Sequence, residues 1–187
     1  MEQMDELRRP DAKTQLMYKV VFGASGFIIF ATLAYGIGTS ALYASGSIPV
    51  IGQNMVNVSW PLPYFTQPVT YLSIAAVTFF YTGLRLWQNK LAQWSHLALA
   101  SLQLVAIVVA FGAAYALMYN FMLWGSYFSI QLLSSVVPNP NVLASPGSTP
   151  WNLVFATKVY MSMLVISGYM VYFLRKVHQV RGLPDTL

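Results

Sequence analysis

Carboxylates are almost missing from this chain. Its 187 residues hold five acids, Glu2, Asp5, Glu6, Asp11 and Asp185, so none falls between residues 12 and 184. Paired carboxylates for acid–base catalysis, and carboxylate ligands for calcium, iron or manganese, need acids inside the fold. Proton- and cation-coupled carriers place Asp or Glu within the membrane. The same gap counts against both classes. Cysteine is absent altogether, which removes disulfides, thiolate metal centres, iron–sulfur clusters and cysteine nucleophiles. No Gly-rich phosphate loop, no H-E-x-x-H helix and no inverted internal repeat of the transporter kind occurs.

What fills the chain instead is apolar: 57% of residues are hydrophobic, 8% are charged and the mean hydropathy is +0.56. Soluble domains carry roughly 25% charged residues. A bilayer core takes about 20 apolar residues per helix, and four runs reach that length, at about 17–43, 69–87, 97–119 and 152–174. They predict an all-α, polytopic membrane protein with a four-transmembrane-helix bundle as its single domain, 1–187. The segment "ASGSIPVIGQNMVNVSWPLPYFTQP" is rich in Pro, Gly, Asn and Ser, which break a continuous helix; residues 44–68 are expected to be an outer loop. The third apolar run continues without proline far beyond one bilayer crossing. Residues 120–136 are therefore expected to form a tail that rises above the membrane or bends along it, within an outer loop of 120–151.

Lys and Arg fix the expected orientation. Arg8, Arg9, Lys13 and Lys19 precede the first span, Arg85 and Lys90 lie by the second-to-third connection, and Arg175, Lys176 and Arg181 follow the fourth; the other two loops carry no charge. The positive-inside rule then predicts a cytoplasmic membrane with both termini, tails 1–16 and 175–187, in the cytoplasm. Trp87 and Trp94 would mark the inner interface, and Trp60, Trp124 and Trp151 the outer one. The net charge of +5 reads as topology and anionic-lipid contact, not as a nucleic-acid surface. The mixed acids and bases before the first span read as a retained cytoplasmic segment, not a signal peptide.

Few residues are candidates for a site. Ala106, Ala110 and Ala114 recur every four residues on the third span, and Ala34–Gly38 and Gly36–Ser40 do so on the first. Such seams let helices approach closely, within the bundle or against another subunit. Met118 and Met122 share a helical face, and Met161 and Met163 lie on the fourth span; thioethers bind Cu(I) but also pack adaptably. His96 and His178 sit at one depth, where two imidazoles facing each other could hold a haem, although their neighbours are cationic. The aromatic series Tyr115, Tyr119, Phe121, Trp124, Tyr127 and Phe128 reads as an interface surface more readily than as a quinone pocket. Asn57-Val58-Ser59 is a glycosylation sequon in an outer loop. Lys158 stands seven residues after Trp151, about 10 Å along a helix axis. It either snorkels to the interface or meets a carboxylate, a carbonyl cluster or a lipid phosphate from outside the chain.

The small charge-poor four-span plan, the Met- and Tyr-rich helices and the outer segment "VVPNPNVLASPGSTPWN" resemble the accessory helical subunits of archaeal copper-dependent ammonia monooxygenase. The resemblance implies a non-catalytic subunit of a multi-subunit membrane oxidoreductase. It implies no cofactor in this chain, copper in partner subunits, and lipids and other integral membrane subunits as neighbours. Open alternatives are a small subunit of a respiratory terminal oxidase, a quinone- or haem-binding membrane subunit, and a channel or carrier for a neutral solute.

Overall fold

A computed structural model describes residues 11–43, 51–57, 67–133 and 150–181. These residues form α1 (Ala12–Tyr43), α2 (Ile51–Asn57), α3 (Pro68–Leu91), α4 (His96–Leu133) and α5 (Trp151–Arg181), with no strand among them. The fold is all-helical, and α1, α3, α4 and α5 are each long and apolar enough to cross a membrane.

Local chemistry sets where the helices begin. At the start of α1 the Thr14 N–H donates to Asp11 Oδ1 over 3.2 Å, one of the side-chain caps that satisfy an otherwise orphaned donor. The same contact, chiefly the hydrogen bond to Thr14, holds the Asp11 carboxyl below its ordinary pKa of 3.8. A folded-state pKa below the unfolded one stabilises at neutral pH, and that contribution disappears as pH falls through the folded value. Acidification below about pH 3.8 is therefore expected to fray the first turn of α1, seen as loss of amide protection at Thr14. Pro68 opens α3, where its missing N–H costs nothing. The Ala98 N–H donates to Ser95 Oγ over 3.2 Å and caps α4.

Packing orders the long helices as a row. α1 packs on α3, α3 on α5 and α5 on α4, while α1 and α4 make at most marginal contact. The short turn between α3 and α4 does not make those two the principal neighbours; α5 sits between them. At the end of the molecule rich in Lys and Arg, Phe173, Leu174 and Val177 of α5 fill the space between Leu84 and Leu91 of α3 and Leu99 of α4. Along α4 the buried positions are Leu99, Ala106, Ala113 and Asn120. That spacing of seven is the repeat that keeps one seam of a helix against a partner through left-handed supercoiling. The contact between α1 and α3 is made differently. Phe22 and Phe79 stack with ring centroids 4.1 Å apart. Each ring lies over a glycine of the opposite helix: a Cβ at Gly83 would stand 3.1 Å from Phe22, and one at Gly26 3.2 Å from Phe79.

Two segments beyond the expected spans take on structure. Residues 120–133 are helical: α4 runs unbroken for 38 residues, about 57 Å at 1.5 Å per residue, because nothing in that stretch stops a helix and Asn120 and Trp124 keep its seam against α5. Second, the segment 44–68 contains α2. This seven-residue helix buries Met55 and Val56 against Val69 of α3, with Trp151, Val154 and Phe155 of α5 around them. Gly52 permits the approach, since a Cβ there would lie 2.8 Å from the Trp151 ring. Gly52→Ala is therefore expected to lower stability by about 1–3 kcal/mol, as overpacking does, read as a lower unfolding temperature in detergent.

Candidate functional site at Lys158

At the end opposite the Lys- and Arg-rich one, two helices begin side by side. Pro150 precedes α5, and Lys158 lies two turns into it, facing the first turn of α3. The Lys158 ammonium donates to Gln67 Oε1 and to Thr70 Oγ1, each over 2.6 Å. The backbone closes the same contact, because Ser73 Oγ donates to the Lys158 carbonyl over 3.5 Å and Ser162 Oγ to the same oxygen over 2.8 Å. Lys158 is partly buried. An ammonium has three donors, and these two bonds use two of them.

Where a partner from outside the chain was expected, the ammonium meets two acceptors of its own chain. Both acceptors are neutral, so they orient the charge without cancelling it. The first turns of α3 and α5 add the positive ends of two helix dipoles nearby.

Around Lys158 the same end holds further neutral polar pairs. Asn120 Nδ2 on α4 donates to the Leu153 carbonyl over 2.9 Å and to Thr157 Oγ1 over 2.5 Å on α5. Trp124 Nε1 donates to Thr157 Oγ1 over 3.3 Å. Asn54 Nδ2 on α2 donates to Ser40 Oγ over 3.2 Å and to Thr39 Oγ1 over 3.5 Å on α1. Lys158 and Asn120 between them tie α3, α4 and α5 together at this end, and Asn54 ties α2 to α1. A buried Asn at a heptad position fixes register more than it adds stability. Sequence reading missed Asn120, Gln67 and Thr70; the available signal was the apolar repeat at Leu99, Ala106 and Ala113, whose next step is Asn120.

The remaining candidates do not converge. Met118, Met122, Met161 and Met163 all lie on exposed faces. Of the alanine series, Ala106 is buried and Ala110 and Ala114 are partly buried, while Ala113 is buried between them. On α1, Gly36 and Ser40 are buried, whereas Ala34 is exposed. Trp87 and Trp94 are exposed, in keeping with an interfacial belt, but Trp124 and Trp151 are packing residues and Trp60 lies outside the described residues. Asn57 closes α2, with its side chain and the rest of its sequon outside the described residues. His96 is exposed at the start of α4, and the side chain of His178 is outside the described set. Among the described residues no three His, Cys, Asp or Glu side chains come together. Comparison with family models, with curated proteins and with solved structures returns no match to this chain.

Proposed function

We propose that this chain is a non-catalytic accessory subunit of a multi-subunit membrane oxidoreductase, with archaeal copper-dependent ammonia monooxygenase as the nearest kind. Catalysis and copper then belong to partner subunits. The observation that carries the reading is the open row of helices. α4 is packed along one seam only, and its opposite side presents Phe111 at 74% exposure and Tyr115 at 75%, with Met118, Tyr119 and Met122 beyond. An aromatic and methionine-rich face of this kind suits a protein neighbour better than lipid alone. The small residues Gly112 and Gly125 on α4 leave open space for close helix approach.

In this reading the orientation is N-in and C-in. Single cysteines at Ser47 and Ser148, both outside the described residues, are expected to label from the outer side. Gln88, the obvious inner probe, is buried and would label poorly from either side. Its exposed neighbour Asn89 is the sound position, and outer labelling there would overturn the orientation.

The test of function is co-migration. A tagged chain solubilised from its native membrane is expected to run on a native gel with larger integral membrane subunits that carry redox metal. A chain that runs alone and gives saturable flux of a neutral solute after reconstitution would instead be a carrier.

A further inference from the structure

We draw no further inference here: the strongest candidate, the apolar cavity of about 280 Å³ between α3 and α5 with Val77 and Phe80 on one wall and Val165 and Ile166 on the other, carries none, because nothing in the structure shows what covers it.

Discussion

Lys158→Met is expected to weaken the chain by itself and, under the accessory-subunit reading, to release it from its partners, two losses with separate causes. Within the chain, the ammonium bonds to Gln67 and Thr70 join α5 to the first turn of α3. Hydrogen bonds from a charged donor contribute about 1.5–3 kcal/mol in soluble proteins, but interhelical bonds in membranes average nearer 0.6 and reach about 1.7. Removing the charge recovers part of the insertion cost of about 2.5–3.5 kcal/mol that a lysine carries at a span's centre, and less of it near the boundary. Insertion cost concerns transfer into the bilayer and not the packing of helices already there, so the packing of the isolated chain is expected to lose about 1 kcal/mol, two bonds' worth at the membrane average. A double-mutant cycle of Lys158→Met with Thr70→Val isolates the pair, and a coupling near zero would remove the clamp. Docking is read separately, by co-migration on a native gel. Lys158→Met should lose its partners, whereas Thr70→Val, which keeps the ammonium, should hold them. Loss of partners in both variants would place the effect in the fold and not in the charge.

The second large effect is expected on the α4–α5 seam. Ala106→Leu and Ala113→Leu each insert a bulky side chain where two helices touch, at buried positions seven residues apart. Overpacking of this kind costs about 1–3 kcal/mol, read as a lower unfolding temperature of the detergent-solubilised chain. Ala110→Leu, at a partly buried position, should cost less. Gly112→Leu is the control: no atom lies within 4 Å of a Cβ built there, so the chain's own stability should hold. Under the accessory-subunit reading the same substitution weakens assembly, because it fills space that a neighbour's helix would use. A seam in which Gly112→Leu destabilises the isolated chain more than Ala113→Leu would have the wrong face of α4 inward.

The membrane-spanning character and the number of spans were legible in composition and run length. Hydrocarbon thickness forces a run of about 20 apolar residues per crossing, and a run of that length is visible without any fold. The helices extend beyond the expected spans, because capping by Asp11 and Ser95 and the charged last turn of α3 carry them past their apolar stretches. The continuation of α4 to Leu133 was visible as an absence of breakers, yet whether that stretch bends was not. α2 was hidden, since a helix of seven residues is not stable by itself and forms here because Met55 and Val56 find Val69 and the Trp151 ring.

The sequence by itself determined that this chain is all-helical, that it has four segments able to cross a membrane, and that no carboxylate within those segments could neutralise Lys158. Those are properties of composition and of period along the chain. The order of the row, α1–α3–α5–α4, was decided by the tertiary structure alone, because helices apolar all round carry no moment to say which side faces which neighbour. The partners of Lys158 were decided in the same way: Gln67 and Thr70 lie 91 and 88 residues away in sequence, and only the packing of α3 on α5 brings neutral acceptors to the charge.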